Sequence, residues 1–335
     1  MKTRYILLIV LLVCVGVAGY FLGNLGQSQT SLPTPSFINP RTFDKYTILN
    51  LANAKIEGSQ IALGEKLSET SLYTSYLFSF RVDADLDGRA PKSVTGLINI
   101  PAGNGPFPLI VMFRGYVDQK TYATGAGSKR AGEFFAQNGF ITIAPDFLGY
   151  AASDKEAENI FESRFQTYVT ALSLIQSLGS ISSWDQENIF IWGHSNGGQI
   201  ALTFLEITQE NFPTALWAPV SKPFPYSILY YTDDSDDRGK LIRSELAKFE
   251  DTYDVELYSI TNYFDRIKSP IQLHQGTSDT SVPKAWSDEL ANQLKKLDLD
   301  FDYQLYPGAD HNLNPSWNTA VSNSLEFFQK HLRQS

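Results

Sequence analysis

The stretch GHSNGG at residues 193–198 decides the fold, because it joins an apolar run, NIFIW, to an amphipathic segment, QIALTFLEI. An apolar run followed by a helical pattern predicts a strand, a sharp turn and a helix. Glycines two residues before and after a serine are what a nucleophile needs when its backbone is strained and neighbouring chains pass close by. The same glycines are also typical of an ordinary surface turn, so the rest of the chain has to decide.

Short apolar runs alternate with longer amphipathic segments on both sides of this turn. The runs are FPLIVMF, FITIAPD, TALWAPV, PIQLHQG and FDYQLYPG, and the segments between them include SKRAGEFFAQNG, ESRFQTYVTALSLIQSLG and WSDELANQLKKL. Wholly apolar strands are typical of parallel sheets covered by helices on both faces. Upstream, SLYTSYLFSFRVDAD and SVTGLINIPA predict an antiparallel hairpin. We therefore predict an α/β fold with a doubly wound, mostly parallel sheet.

Composition excludes several classes of protein. The 335 residues are 43% hydrophobic and 19% charged, which suits a globular chain with a full core. The net charge is −9 and the basic residues are scattered, so we expect no nucleic-acid partner. The single cysteine, Cys14, excludes an intrachain disulfide. No metal-ligand spacing and no phosphate-binding loop is present, so we predict no metal and no cofactor.

The first 26 residues are a targeting segment rather than part of the fold. Lys2 and Arg4 precede an uncharged stretch over 5–26, close to the ~20 residues that a membrane span requires. A cleaved signal peptide usually has a shorter apolar core, so an uncleaved anchor is favoured, with the folded domain outside the cytoplasm. Secretion after signal cleavage is the alternative. Residues 27–40 are predicted to be a polar linker, and 41–335 the domain.

The regular alternation breaks over residues 219–269. This stretch is rich in tyrosine and phenylalanine and has no strand period; its acidic cluster comprises Asp233, Asp234, Asp236 and Asp237. Long insertions in compact domains are usually functional, so we interpret it as an inserted cap. The alternative is a long surface excursion with a solvated run of charge.

A serine nucleophile requires a histidine base and a carboxylate partner. In a doubly wound sheet of this kind their chain order is nucleophile, acid, base, and each lies just after a strand. Asp279 follows PIQLHQG, and His311 follows FDYQLYPG. Alone, Asp279 would be a turn residue and His311 a surface histidine. Together with Ser195, in order and at three strand ends, they are predicted to form a catalytic triad.

The four histidines permit a choice by elimination. The side chain of His194 is expected to point away along the strand, and His331 lies in the terminal helix. His274 ends a buried strand and is the fallback base. Asp310, adjacent to His311, is the fallback acid, although neighbouring side chains rarely pair in the required geometry.

Two main-chain N–H groups are needed to stabilise the oxyanion of an acyl-transfer intermediate. Asn196, directly after the serine, supplies the first. Tyr116, in the stretch FRGYVDQ that follows the strand FPLIVMF, is predicted to supply the second. Asp146 also ends a strand but precedes the nucleophile in the chain, so it is expected to tie down its own loop.

The motifs GHSNGG, HQGTSDTSVP and YPGADH together resemble the catalytic domain of the prolyl oligopeptidase family of α/β-hydrolases. The resemblance covers roughly residues 90–333. It implies that Ser195 is the nucleophile, Asp279 the acid and His311 the base, with Asn196 and Tyr116 forming the oxyanion hole. The implied activity is a serine hydrolase that cleaves a small peptide or carboxylic ester substrate through an acyl-enzyme.

The chain departs from the family pattern in two respects. Arg114 stands where many relatives have histidine. Fewer than ~70 residues precede the first hydrolase strands, too few for a β-propeller, so any gating of substrate is expected to come from the cap. Two alternatives to a peptidase stay open: a carboxylesterase of the dienelactone-hydrolase or feruloyl/acetyl-esterase type, and a non-catalytic binding protein on the same fold.

Overall fold

A nine-stranded sheet runs through the part of the chain that the computed structural model describes, residues 41–333. Its strands are β1 (Ala62–Glu69), β2 (Tyr73–Val82), β3 (Lys92–Pro101), β4 (Phe107–Phe113), β5 (Ile141–Pro145), β6 (Trp184–His194), β7 (Thr214–Trp217), β8 (Ile271–Gly276) and β9 (Phe301–Tyr306). Their order across the sheet is β1-β2-β3-β5-β4-β6-β7-β8-β9.

Six neighbouring strands of the sheet run parallel to one another: β5, β4, β6, β7, β8 and β9. The other three strands, β1, β2 and β3, are antiparallel to their neighbours. The predicted hairpin is confirmed, because β2 pairs with β3 in unbroken register from Tyr73↔Pro101 to Val82↔Lys92. The doubly wound, mostly parallel sheet is confirmed as well.

Helices follow most of the parallel strands. They are α1 (Ile48–Asn53), α2 (Lys129–Gln137), α3 (Ile160–Ser177), α4 (Asn196–Thr208), α5 (Tyr226–Leu229), α6 (Lys240–Glu250), α7 (Lys284–Lys296) and α8 (Trp317–Lys330). Single 3₁₀ turns lie at Asp44–Tyr46, Leu178–Ser180, Thr232–Asp234, Val255–Tyr258, Ile260–Asn262 and Phe264–Arg266.

The core has two layers because side chains alternate across the central strands. Leu109, Val111 and Phe113 of β4 pack in one layer with residues of α3, α4 and α7. Ile110 and Met112, between them in the chain, pack in the other layer with residues of α2 and α8. Successive residues of a strand point to opposite faces, so a wholly apolar strand is what a sheet covered on both sides requires.

One predicted strand is shorter than expected. The run TALWAPV was predicted to be a strand throughout, but β7 ends at Trp217. Ala218 has a positive φ of 42°, and the chain turns there toward the end of β6, where the Val220 N–H donates to the Ser195 carbonyl. Residues 218–270, which contain the segment interpreted as a cap, connect β7 to β8 through α5, α6 and short 3₁₀ turns.

The predicted targeting segment, 1–26, and the linker, 27–40, lie outside the described residues. Within 41–333, no helix combines the length and the apolar character that a membrane span requires.

Candidate active site

Ser195 lies in a strained turn between β6 and α4. Its φ is 57° and its ψ is −120°, a conformation that costs on the order of 1–3 kcal/mol for a residue with a side chain. Main-chain hydrogen bonds hold it there: the Ser195 N–H donates to the Trp217 carbonyl (2.9 Å), and its own carbonyl accepts from Gly198 (2.9 Å) and Val220 (3.0 Å). The turn is therefore fixed by the backbone on both sides.

The glycines around Ser195 have steric causes. A Cβ at Gly197 would lie 1.9 Å from the Phe113 carbonyl oxygen and 2.6 Å from that of Arg114. A Cβ at Gly115 would lie 3.0 Å from the Ser195 Cβ. Helix α4 can thus begin directly against the end of β4, and the loop after β4 passes beside the serine.

Asp279 and His311, which follow β8 and β9, are in direct contact. His311 Nδ1 donates to Asp279 Oδ2 over 2.9 Å. The other carboxylate oxygen accepts the N–H groups of Ser281 (2.8 Å) and Val282 (2.9 Å). Burial alone would raise the pKa of Asp279, but the bonds from His311, Val282 and Ser281 hold that pKa below its ordinary value. The carboxylate stays ionised and fixes the ring through Nδ1.

His194, the last residue of β6, connects this strand to the loop of His311. Its Nε2 lies 3.0 Å from the His311 carbonyl oxygen, and the two imidazole centroids are 4.8 Å apart. Burial, assisted by the neighbouring His311, lowers the pKa of His194 to about 4. The ring is therefore neutral at neutral pH, and its single proton must sit on Nε2 to make this bond.

The structure thus brings His311 and Asp279 together and places the His311 loop against the residue before Ser195. Among the hydrogen bonds of residues 41–333, none joins the Ser195 hydroxyl to His311. Contacts between nucleophile and base are often long before substrate is bound. Since Nδ1 is engaged by Asp279, Nε2 is the nitrogen available for proton exchange.

Of the two predicted oxyanion donors, Asn196 directly follows the serine and Tyr116 follows a glycine that passes close to it. Asn196 is the first residue of α4, so its N–H has no acceptor within the helix. Gly115, the residue before Tyr116, is in near contact with Ser195. Tyr116 is 75% exposed, and its predicted contribution to the site is its main-chain N–H.

The two fallback residues are engaged in contacts outside the candidate triad. His274 is fully buried; its Nδ1 accepts from the Tyr306 hydroxyl (2.7 Å) and its Nε2 donates to Gln272 Oε1 (2.9 Å). Burial lowers the pKa of His274 to about 3, as expected of a neutral core histidine. Asp310 Oδ1 accepts the N–H groups of Asn312 and Asn314, both over 2.9 Å, and so shapes its own loop.

Sequence reasoning missed the supporting contacts of three residues. His194 was expected to point away but contacts His311. Gln275 donates to Asp279 Oδ2 over 3.1 Å. Arg114 is buried and donates to the carbonyl of Gly115. The only signals in the sequence were a polar residue at the end of an apolar strand in each case, which does not reveal the partner.

Asp146 is structural, as expected, but its carboxylate holds two other segments of the chain instead of its own loop. Its carboxylate accepts the hydroxyls of Thr95 (2.6 Å), Tyr122 (2.6 Å) and Thr124 (2.9 Å). These bonds join the end of β5 to β3 and to the loop that leads from β4 to α2. Asp146 therefore organises the loop of Tyr116 without contacting Asp279 or His311.

A cavity of about 660 Å³ borders the site on the side of α2 and α8. Its lining includes His194 and Asn312, which adjoin Ser195 and His311, and three tryptophans, Trp192, Trp217 and Trp317. No group of three or more histidine, cysteine or acidic residues within 41–333 could hold a metal ion.

The family model described as the prolyl oligopeptidase family matches residues 129–335. This range contains Ser195, Asp279 and His311.

Two curated relatives carry different names. The chain is 22% identical over 278 residues to acetyl esterase Axe7A of Xylanibacter ruminicola, covering 74% of this chain and 59% of that protein. It is 21% identical over 324 residues to dipeptidyl aminopeptidase BIII of Pseudoxanthomonas mexicana, covering 90% of this chain and 43% of that protein. The chain spans about half the length of these relatives.

Among solved structures, acetyl xylan esterase 1 from Thermoanaerobacterium sp. JW/SL YS485 superposes with a TM-score of 0.62 at 16% identity. The match covers 86% of this chain and 94% of that one. At this identity the likeness concerns the fold, which is that of the α/β-hydrolases.

Proposed function

This chain belongs to the prolyl oligopeptidase family, and from that membership we propose that it is a serine hydrolase that works through an acyl-enzyme on Ser195. The observation that carries the proposal is the 2.9 Å contact between His311 and Asp279, at the same edge of the sheet as the strained turn of Ser195. A polar pair of this kind beside a strained serine is the arrangement that activates a hydroxyl.

In the proposed reaction the Ser195 oxygen attacks the carbonyl carbon of the substrate while its proton passes to Nε2 of His311. Asp279 holds the ring in the tautomer that leaves Nε2 free and stabilises the imidazolium that forms. The N–H groups of Asn196 and Tyr116 stabilise the negative oxygen. The leaving group departs with the proton from Nε2. Water then attacks the acyl carbon while His311 takes its proton. The bond from that carbon to the Ser195 oxygen breaks as His311 returns the proton to the serine.

We propose a carboxylic ester as the bond that is cleaved. The name of the relative from Xylanibacter ruminicola, an acetyl esterase, supports this choice. Two carboxylates of the acidic cluster in the cap already have partners within the protein, which gives some support to a neutral substrate. Asp233 pairs with Arg243 over 2.9 Å, and Asp237 accepts the N–H groups of Gly239 and Leu241.

A peptide bond is the second candidate. The description of the matching family and the dipeptidyl aminopeptidase relative both favour it. The same acyl-enzyme route applies, with an amine in place of an alcohol as the leaving group.

The test compares the purified protein with Ser195→Ala on short-chain aryl esters and on a panel of aminoacyl and prolyl amides. Ester turnover that disappears in the variant, with amide turnover at least a hundredfold lower, is the expected result. Serine-dependent amide turnover at rates comparable with esters would establish the peptidase instead. Turnover that is unchanged in Ser195→Ala would rule out the proposed mechanism.

A fluorophosphonate probe separates the enzyme from a binding protein on the same fold. We expect the folded protein to be labelled at Ser195 and Ser195→Ala to stay unlabelled. Absence of labelling in the wild-type protein would favour the non-catalytic alternative.

We further propose that the chain is held at a membrane by its N-terminal segment, with the hydrolase domain outside the cytoplasm. The proposal rests on the uncharged stretch 5–26 behind Lys2 and Arg4. Intact mass of the protein from its native host tests it, because a mature chain that begins near Gln27 would mean a cleaved signal peptide.

A further inference from the structure

Arg114 makes two hydrogen bonds to main-chain carbonyl groups beside the serine. It directly follows β4 and is only 6% exposed. Its Nη1 donates to the Gly115 carbonyl and its Nη2 to the Asp146 carbonyl, each over 3.0 Å. The planar guanidinium therefore joins the loop after β4 to the end of β5.

Aromatic rings hold the guanidinium in place. Its central carbon lies 4.1 Å from the ring centroid of Tyr150 and 4.4 Å from that of Tyr122. The Tyr122 hydroxyl is itself fixed, because it donates to Asp146 Oδ1 over 2.6 Å. A buried cation requires such partners, since stacking and hydrogen bonds offset its lost hydration. The orientation of Arg114 is thus determined from several sides.

The Gly115 carbonyl and the Tyr116 N–H belong to one peptide group. In a trans peptide the C=O and the N–H are coplanar and point in opposite directions. A bond that fixes the direction of the carbonyl therefore fixes the direction of the N–H as well. A charged donor on the carbonyl also polarises the peptide group, which makes its N–H a stronger donor.

We propose that Arg114 is a positioning residue for the oxyanion hole, acting through the Gly115–Tyr116 peptide. It aims the Tyr116 N–H at the oxygen that becomes negative when Ser195 attacks, and it strengthens that N–H as a donor. This inference rests on the proposed function, because the oxyanion forms only if the chain performs acyl transfer.

The test replaces Arg114 and measures binding of a transition-state mimic. A short-chain alkyl trifluoromethyl ketone adds to the serine and places an oxyanion in the hole, whereas the matched methyl ketone binds as a ground-state analogue. For Arg114→Met we expect kcat on an aryl ester to fall about 10- to 100-fold, less than the ~10²- to 10³-fold loss on removing an oxyanion donor outright. KM should stay within about threefold of the wild-type value, since ground-state binding is not touched.

The inhibitor constants distinguish positioning from general disruption. The affinity for the trifluoromethyl ketone should fall by the same factor as kcat, and the affinity for the methyl ketone should not change. Arg114→Lys keeps the charge but lacks the planar fork, so an intermediate loss of both kcat and trifluoromethyl ketone affinity is expected. If Arg114→Met does not fold, Arg114→Lys tests the proposal through the same measurements, kcat and the affinities for the two ketones.

Arg266→Met is the matched control. Arg266 also donates to a main-chain carbonyl, that of Glu206 (2.8 Å), but it does so near the opposite end of α4 from Ser195. The kcat of Arg266→Met and its inhibitor constants for both ketones should equal those of the wild-type protein.

Three results would overturn the inference. The first is unchanged affinity for the trifluoromethyl ketone in both Arg114 variants. The second is an equal loss of affinity for both ketones, because that would mean a collapsed pocket. The third, absence of serine-dependent hydrolysis in the wild-type protein, would remove the proposed function and the inference together, and it is recognised by equal rates for wild type and Ser195→Ala.

Discussion

The two halves of the candidate site are built by different means. On one side, Ser195 is fixed by main-chain bonds to the end of β7, to α4 and to the loop after β7. Glycines whose missing Cβ atoms let α4 and the loop after β4 approach also define this side. On the other side, Asp279 and His311 lie on loops and are held through side chains, including those of Gln275 and His194.

This difference gives the two halves different roles: the turn of Ser195 sets the shape of the site, and the pair of Asp279 and His311 supplies its reactivity. A backbone-built turn tolerates no added volume, so a change there is expected to disturb the fold itself. Side chains on loops can be exchanged with little change in the fold, so a change there is expected to remove reactivity. Substitutions on the two sides should therefore split into losses of stability and losses of turnover.

The largest effect is expected for Asp279→Asn on the side-chain half. An amide in this position favours the wrong tautomer of His311, and kcat should fall by about 10⁴-fold. The variant should stay folded by circular dichroism, because Asn Oδ1 can still accept the N–H groups of Ser281 and Val282. Turnover within tenfold of wild type would mean that Asp279 is only a turn residue.

Gly197→Ala tests the backbone half. The added Cβ would meet the carbonyl oxygens of Phe113 and Arg114, which cannot move aside as a flexible side chain can. We expect a loss of about 3 kcal/mol in the free energy of unfolding, the upper part of the range for overpacking, measured by urea denaturation.

Gly179→Ala is the control for that experiment. A Cβ there would approach only Gln186 Oε1, at 3.8 Å, and stability should be unchanged or slightly higher. Equal stability of Gly197→Ala and wild type would show that the turn can relax, and the proposed division between the two halves would not hold.

His194 connects the two halves of the site, and His194→Phe tests that connection. Phenylalanine keeps a ring next to His311 but cannot donate to its carbonyl, and one such bond contributes about 0.5–1.5 kcal/mol. We expect kcat/KM to fall by up to about tenfold, since 1.4 kcal/mol is a factor of ten. His331→Phe serves as control, because His331 bonds the Phe327 carbonyl far along α8; a similar loss in both variants would contradict the assigned role.

The smallest effect is expected outside both halves, at Asp233→Asn in the cap. Its ion pair with Arg243 is exposed, with 82% of the Asp233 side chain accessible, and exposed pairs contribute about 0–1 kcal/mol. The ratio of kcat/KM for amine-bearing and neutral substrates should change less than twofold. A change above fivefold would show that the cap selects substrates by charge.

Much of the fold could be predicted from the sequence because apolar runs and helical segments alternate from Phe107 onward. The positions of Asp279 and His311 followed as well, since the carboxyl ends of parallel strands meet at one edge of a sheet. Both are physical consequences of local pattern, which a single sequence displays.

Other features left no local signal. All eight residues of β1 are exposed, so this strand shows no alternation between a buried and an exposed face. The contacts of Arg114 and His194 join segments distant in the chain or depend on which way a side chain turns. Such partners are set by tertiary packing, and residue identity alone does not specify them.

The place of β9 at the edge of the sheet, with β8 as its neighbour, links the candidate site to local unfolding. A strand that is hydrogen-bonded to a neighbour on one side only unfolds locally more readily than a central strand. Loss of the β8–β9 ladder would withdraw His311, while the turn of Ser195 would stay intact because it follows β6, which lies between β4 and β7 in the sheet. On heating, activity should therefore disappear before the core melts, and hydrogen exchange in β9 should be faster than in β6.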